Sequence, residues 1–380
     1  MPVAVKTSSL QEYGYDFKVR PSSQLEVEMF GFVMPGQEPS QKADHFKNIV
    51  GTIYPWCHWN DWNELCLWSW CNYQEISNAG CASAQKTFTF SLLAFMEFAC
   101  APAKTGVIMS SATVPSLRTR LWPRVKDFYR RFTVGTKDGT REINWPYHLV
   151  DSKTQIQWQK GDDEHSIRAV AVDSGSIEQA IGKFIGSHPG RVVKMVDEAA
   201  QTKPAVFEAR SNLSVGTTFF RFVILSNPIN QFDAHGKFSE PKRGWSTISV
   251  NDESWETATG ICLHFDGLKS PNVLAGYEKY PKVFGPADID RIKMQSGGKE
   301  NTLAWWSQVR GFWPPSGISN TVLDAATIIT GRAREKAVWE GTFRTISTLD
   351  PAFTTGGDRC VLRFFKVGKL IEGQFGMDLS

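Results

Sequence analysis

The 380-residue sequence carries no excess of charge of either sign: Lys+Arg 42 against Asp+Glu 39 leaves a net +3. That balance excludes a chain that is acidic or basic as a whole and leaves any basic face a local matter. Cysteine is scarce and odd in number, seven in all, which argues against a disulfide scaffold and for a reducing compartment. A long hydrophobic run is also missing. The longest apolar stretch, Phe88 to Ala103, is broken by Thr89, Ser91 and Glu97, so it reads as a buried helix and not a membrane span. The N-terminus, MPVAVKTSSLQEYGYDF, lacks the apolar core of a signal peptide. A soluble, intracellular protein without a membrane partner is therefore expected. There is no internal repeat and no low-complexity tract. With 41% hydrophobic and 21% charged residues, disordered, collagen-like and coiled-coil chains are excluded, and the length suits two or three domains.

What the sequence does have is tryptophan, 14 in all. Five of these (Trp56, Trp59, Trp62, Trp68 and Trp70) fall in one segment, of which WNDWNELCLWSWCNYQEI reads as a helix starting near Asn60 or Asp61. From there strand and helix patterns alternate. Residues 88–100 are apolar at helical spacing and 104–111 form a short buried strand. Residues 115–132 read as an arginine-rich helix interrupted at Pro123. Residues 143–158 and 167–172 read as strands around a polar turn, 177–184 as a short helix, 191–196 as a strand and 204–213 as a helix. TTFFRFVIL, 217–225, is the strongest strand of all. Further helices are expected at 286–295 and 299–311, and strands at 345–349 and 359–367. Alternation of this kind implies an α/β protein with a parallel sheet covered on both faces.

Chemistry enters at Gly80-Cys81-Ala82-Ser83-Ala84-Gln85-Lys86-Thr87, directly before the apolar helix. The spacing is close to the phosphate-binding loop Gly, four residues, Gly-Lys-Ser/Thr. In such a loop backbone N–H groups at a helix N-terminus cradle phosphates, Lys86 neutralises the β and γ phosphates, and the Thr87 hydroxyl ligates magnesium. Gln85 stands where that pattern has its second glycine, so its side chain must point away from the nucleotide. The plain alternative is a helix N-terminus capped by Ser83 and Thr87. A second feature is the apolar strand 192–196 running into Asp197 and Glu198. In a phosphate-loop ATPase the first carboxylate organises the magnesium shell and the second activates the attacking water. Two further strand ends carry small polar residues: Ser110 to Thr113, and Ser226-Asn227-Pro228, which reads equally as a simple Asn-Pro turn. All four segments sit at carboxyl ends of strands, where a nucleotide site belongs.

The order of these motifs resembles the large terminase subunit of tailed bacteriophages. The resembling residues are Gly80 to Thr87, Ser110 to Thr113, 186–199 (GSHPGRVVKMVDEA), Ser226 to Pro228, 264–273 (HFDGLKSPNV), 305–317 (WWSQVRGFWPPSG) and 348–361 (TLDPAFTTGGDRCV). The resemblance runs from about residue 45 to the end. It implies a P-loop NTPase of the ASCE type, a mostly parallel α/β sheet flanked by helices, followed by a small lid or linker region and an incomplete RNase H-like β-hairpin. The corresponding divisions are an N-terminal arm 1–45, an ATPase core 46–240, a lid/linker 241–340 and a nuclease beginning at 341–380. The family uses ATP and Mg2+ to drive double-stranded DNA into a procapsid. It implies as partners duplex DNA, the portal and procapsid, a small terminase subunit and other copies in a ring, all in the host cell cytoplasm. It implies that Lys86, Asp197 and Glu198 are the catalytic residues, that Thr87 and Asp197 hold Mg2+, that 80–87 bind ATP, and that Ser226 and Asn227 form the coupling motif.

Three positions depart from the family pattern. Gln85 replaces glycine. Ala82 stands where many members have an arginine in the loop, and Ile185 where many have the arginine that acts across a subunit interface. Lys183 or Arg191 is the candidate substitute, since an arginine ordinarily stabilises charge on the transferred phosphoryl group. Asp350 matches the first metal-binding carboxylate of the nuclease, but only 30 residues follow it, too few for a domain of about 100 residues. DNA cleavage by this chain alone is therefore not expected.

Other constellations have plainer readings. Cys57, His58, Cys66 and Cys71 lack the paired Cys-x-x-Cys spacing of zinc sites. The tryptophans at 56–70 are core or an adenine-stacking wall, and Trp305, Trp306 and Trp313 are expected to pack the lid segment on the core. Arg118, Arg120, Arg124, Lys126, Arg130 and Arg131 face DNA phosphate, a neighbouring subunit or solvent. Two other functions compete with a motor: a helicase, disfavoured because 240–380 shows no second recombinase-like half, and a catalytically dead nucleotide-binding module.

Overall fold

In a computed structural model of the chain, the described residues are 39–53, 59–134, 147–171, 189–202, 205–315, 318, 339–350, 361–370 and 378–379. The helix expected at 177–184, and Lys183, Ile185, Trp56, Cys57 and His58, lie outside them. Two compact units are present, Met1–Val322 and Leu323–Ser380.

The first unit is built on a nine-stranded sheet. In chain order its strands are β1 (Glu75–Gly80), β2 (Thr105–Ser111), β3 (His148–Val150), β4 (Gln155–Gln157), β5 (Ser166–Ala171), β6 (Arg191–Asp197), β7 (Phe219–Ser226), β8 (Ser254–Glu256) and β9 (Ile261–Phe265). Their order across the sheet is β3-β4-β5-β2-β6-β7-β1-β9-β8. The six strands from β5 to β9 pair in parallel, and β3, β4 and β8 are antiparallel additions at the edges. One strand, β7, lies between β1 and β6. The mostly parallel α/β sheet read from the sequence is therefore present, with an additional strand between the loop-bearing strand and the acidic one. Parallel register aligns the carboxyl ends: Ala79 lies opposite Ser226, Asp197 opposite Leu225, and Gly80 opposite Phe265. The segments that carried the chemical argument consequently share one edge.

Helices cover both faces. They are α1 (Pro39–Ile53), α2 (Asp61–Asn72), α3 (Lys86–Cys100), α4 (Trp122–Val134), α5 (Ala205–Ser214) and α6 (Ala234–Ser239), then α7 (Pro271–Ala275) and α8 (Pro286–Gln295). α1 extends back into what reads as a polar arm. Phe46, Ile49 and Val50 recur at helical spacing and are buried, which gives the helix a docking face. α2 starts at a reciprocal cap: the Asn60 side chain accepts from Trp62 N–H and Asn63 accepts from Asn60 N–H. α3 is buried on nearly every side, with Phe90, Phe95 and Phe98 fully enclosed. Each such ring contributes roughly 1.5–3 kcal/mol of burial. Before α4, residues Val114–Ser116 and a π-helical turn, Leu117–Leu121, lead into Pro123. The Trp122 N–H reaches back to the Leu117 carbonyl, widening the helix where proline brings no donor of its own.

Two boundaries differ from the sequence reading. The helix read through Ile76 stops at Asn72, because Tyr73 turns the backbone to extended geometry and β1 follows. The sheet also continues past the expected boundary at 240, since β8 and β9 lie beyond it and β9 pairs with β1. Among the described residues, helix 299–311 is confined to a short turn centred on Trp305–Val309.

The second unit contains β10 (Trp339–Asp350), β11 (Val361–Leu370) and β12 (Asp378–Leu379), an antiparallel sheet in that order. Asp350 closes β10, opposite Val361, so the strands expected at 345–349 and 359–367 pair, and the Gly-containing turn expected between them lies outside the described residues.

Candidate nucleotide site

β1 ends at Gly80 and α3 begins at Lys86, leaving a tight loop between them. Two of its non-glycine residues, Ser83 (φ 50°) and Gln85 (φ 57°), take left-handed geometry, a conformation held only when surrounding contacts impose it. The Gln85 side chain leaves the loop toward Asn60 and Asn63, 3.5 Å from each amide nitrogen. It points away from the crevice, which is what a glutamine in place of glycine requires. The N–H groups of the first turn of α3 have no partner within the helix and present the positive end of its dipole.

Lys86 is buried and donates to the carbonyls of Gly80 (2.9 Å) and Cys81 (2.6 Å). Burial pushes its pKa down, while Asp197 acts in the opposite direction. Thr87 donates to Asp197, 3.1 and 3.0 Å from its two carboxylate oxygens. The phosphate-type loop and the acidic strand thus meet, across 110 residues of sequence. Asp197 is enclosed, and burial pushes its carboxyl up to about 6, with Glu198 adding to the rise and Thr87 and Lys86 opposing it. A hydroxyl and a carboxylate side by side are hard oxygen donors of the kind Mg2+ takes, and an enclosed carboxylate with a raised pKa is one that a cation would stabilise. The pair therefore fits the metal expected of it.

Glu198 follows in left-handed geometry (φ 57°). Its carboxylate accepts from Arg120 Nη1 at 2.7 Å and from Ser111 Oγ at 3.4 Å. Ser111 ends β2, as the sequence placed it, while Arg120 comes from the π-helical turn before α4. Arg120 is a site residue that composition did not single out from its basic neighbours. Arg118, Arg124 and Arg130 are exposed, and Lys126 pairs with Asp151.

At the end of β7, Ser226 accepts from Ala200 N–H (3.2 Å), on the turn after Glu198. Asn227 Nδ2 donates to the Gly80 carbonyl (2.9 Å) and lies 3.4 Å from the Ser307 carbonyl. This pair therefore touches both halves of the site. Arg191, by contrast, is at the opposite end of β6 from Asp197, with its guanidinium on Glu97 at 2.6 Å. Within this chain it does not reach the site. Lys183 lies outside the described residues.

The segments at 264–273 and 305–315 brace the loop from behind. Cys81 N–H donates to the Phe265 carbonyl (2.9 Å), Ala82 N–H to Gln308 (2.8 Å), and Phe284 N–H to Ser83 (3.1 Å). Asp266 and Arg310 form a paired-oxygen ion pair, with contacts of 3.2, 3.1 and 2.9 Å. His264 lies between the Asp252 and Arg310 carbonyls at 2.7 and 2.8 Å, and burial lowers its pKa. Gly311 (φ 57°) lies so close beneath the loop that a Cβ would sit 2.5 Å from the Phe265 carbonyl oxygen and 2.6 Å from the Gly80 carbonyl carbon. Trp305 and Trp313 are buried and Trp306 partly so. The expected lid segment is thus a buttress of the loop. Its sequence signals were the 264–273 segment and the Gln-Val-Arg-Gly-Phe-Trp-Pro run.

Among the described residues no helix is long and apolar enough to cross a membrane. No protein-family model matches the chain, and no curated protein matches it in sequence. Solved structures do match in fold. The ATPase domain of the Thermus phage P74-26 large terminase is 14% identical with a TM-score of 0.43, over 63% of this chain and 89% of that one. The HK97 bacteriophage large terminase is 10% identical with a TM-score of 0.52, over 89% of this chain and 67% of that one. The resemblance to phage large terminases read from the motifs is therefore shared by the fold: this chain has the α/β fold of the HK97 large terminase.

Proposed function

We propose that the chain is the ATP-hydrolysing motor subunit of a machine that drives double-stranded viral DNA into a procapsid, acting as a large terminase does. The observation that carries the reading is the contact of Thr87 with Asp197, with Lys86 and Glu198 beside it. Residues 80–87 bind the ATP phosphates through the loop and helix N–H groups. Lys86 exchanges its loop carbonyls for β and γ oxygens. Thr87 and Asp197 hold Mg2+, which when bound neutralises phosphate charge. Glu198 takes the proton of a water whose oxygen attacks the γ-phosphorus, and ADP leaves. Ser226 and Asn227 link the Glu198 turn to the loop, so departure of the γ-phosphate alters both.

The wider assembly follows from the same reading: duplex DNA as substrate, a portal and procapsid with a small terminase subunit as partners, further copies in a ring, and the host cytoplasm as location. On the same reading Asp350 is the first metal ligand of a nuclease site. One observation favours a second reading, a weak or inactive nucleotide module: Lys86 is already satisfied by its own loop. Steady-state ATP hydrolysis with and without duplex DNA separates the two. The motor reading expects DNA-stimulated turnover, lost in Lys86→Ala and in Glu198→Gln, with ATP binding retained in the latter. A rate that matches buffer with DNA and procapsid present refutes it.

A further inference from the structure

At the end of the sheet away from Asp197, three cations share a single carboxylate. Glu97, on α3, accepts from Lys42, from Arg191 Nη2 (2.6 Å) and from Trp70 Nε1 (2.9 Å). Burial alone would raise its carboxyl, but Lys42 and Arg191 overcome this and hold it at about 2. Arg221, on β7, is the third cation and is only 5% exposed. Its Nε is sealed without an acceptor, as is Nε of Arg191, and Arg221 donates no hydrogen bond among the described residues.

Aromatic faces supply part of the compensation. Phe219 receives Arg191 at 4.1 Å, Lys42 at 4.8 Å and Arg221 at 5.0 Å, and Trp70 lies 5.7 Å from Arg221. Ring faces attract cations but accept no conventional hydrogen bond, and each contact is worth about 0.5–2 kcal/mol. Desolvation of each unpaired guanidinium costs several kcal/mol, and arginine cannot relieve this by losing its proton. Among the described residues, one carboxylate against three cations leaves two positive charges and two buried donors unmatched.

We infer that this cation cluster binds a small oxyanion, phosphate or carboxylate, whose oxygens take the open donors of Arg221 and Arg191 with Lys42 beside them. Paired oxygens suit the guanidinium fork. Lys42 and Arg191 are the outer cations of the cluster, their side chains 17% and 13% exposed. So small an exposed surface is within reach of a free anion or an acidic side chain and not of the backbone of a rigid duplex. Glu97 is about 15 Å along α3 from Thr87, so this site is separate from the nucleotide crevice. An anion here would clamp the far ends of the helix and strand that carry Thr87 and Asp197.

The test is titration calorimetry of the full chain carrying Lys86→Ala, which weakens phosphate binding at the loop, with inorganic phosphate at ionic strength held constant by chloride. Saturable binding is expected, weakened at least tenfold by adding Arg221→Gln and severalfold by adding Lys42→Gln. The second variant keeps the test decisive if the first does not fold. Acetate in place of phosphate identifies the source: binding of acetate alone assigns the site to an acidic side chain, and binding of phosphate assigns it to the free ion. The inference is overturned if neither anion binds beyond chloride, if affinity is unchanged in a folded variant, or if duplex DNA displaces the phosphate.

Discussion

Gly311→Ala tests whether the segment behind the loop sets its shape. The new methyl group would lie 2.5 Å from the Phe265 carbonyl oxygen, 2.6 Å from the Gly80 carbonyl carbon and closer still to the Cys81 nitrogen. All three are backbone atoms, so no side chain can rotate aside. Relief requires moving the end of β1, the end of β9 or the turn itself. The left-handed φ of 57° adds about 1 kcal/mol for a residue with a Cβ. Overpacking adds about 1–3 kcal/mol, and loss of the Cys81–Phe265 or Ala82–Gln308 hydrogen bond about 1 kcal/mol. The sum is about 4 kcal/mol, or a fall in Tm of about 6 °C for a unit of this size. Gly276→Ala is the matched control: its φ is 76° and nothing lies within 4 Å of the added carbon. It should lose only the backbone part, about 1 kcal/mol. Thermal unfolding and ATP binding by calorimetry read the two variants side by side. Equal Tm losses with wild-type ATP affinity in both would refute the buttress argument.

Glu97→Gln should destabilise the chain by about 3–5 kcal/mol at pH 7, because it strands buried cations. Glu97 is held at about 2, below its ordinary value of 4.5, so its contribution is complete above pH 4.5 and disappears as pH falls through 2. Urea melts at descending pH should therefore show the gap to wild type closing from pH 4.5 downward, and a constant gap would contradict the assignment. Arg120→Ala frees the Glu198 carboxylate from its 2.7 Å partner; DNA-free ATP turnover should rise severalfold with little change in Tm, and a fall in turnover would mean that Arg120 positions the glutamate instead. Gln85→Gly relieves a left-handed side chain whose amide contacts are long, at 3.5 Å; stability should rise by about 1 kcal/mol with ATP affinity retained, whereas a loss of stability would show that Asn60 and Asn63 hold the loop.

The parts of the fold legible in the sequence were those with a strong apolar signature. TTFFRFVIL became β7, VVKMV became β6, and the apolar run after Thr87 became α3, because continuous burial leaves a continuous apolar pattern. β1 was not legible. Its residues, EISNAG, are half polar or small, yet they sit between two parallel neighbours and are almost wholly buried. Ser77 achieves this by hydrogen bonding to Ser239 at 2.6 Å, a partner 162 residues away that local pattern cannot supply. β9 was missed for a related reason, since ICLHF is short and carries a histidine that long-range carbonyls satisfy.

The same distinction runs through the site. Lys86, Thr87, Asp197 and Glu198 were identifiable because the proposed chemistry rests on their side chains, so residue type and spacing mark them. What shapes the loop is largely main chain: the carbonyls of Gly80, Cys81, Phe265 and Gln308 and the N–H groups of Cys81 and Ala82. Every residue type carries the carbonyl, and all but proline the N–H, so no sequence pattern announces them. Only glycine leaves a trace, where a backbone must approach another backbone closely, and Gly311 is that trace. Side chains carry the proposed reaction, but on the same proposal the main chain behind them sets how readily the loop opens to a triphosphate. Substitutions that control nucleotide affinity should therefore cluster at Gly311 and Asn227 as much as at Lys86. A panel of alanine variants at those three positions, ranked by ATP dissociation constant, would contradict this if Lys86 alone moved the affinity.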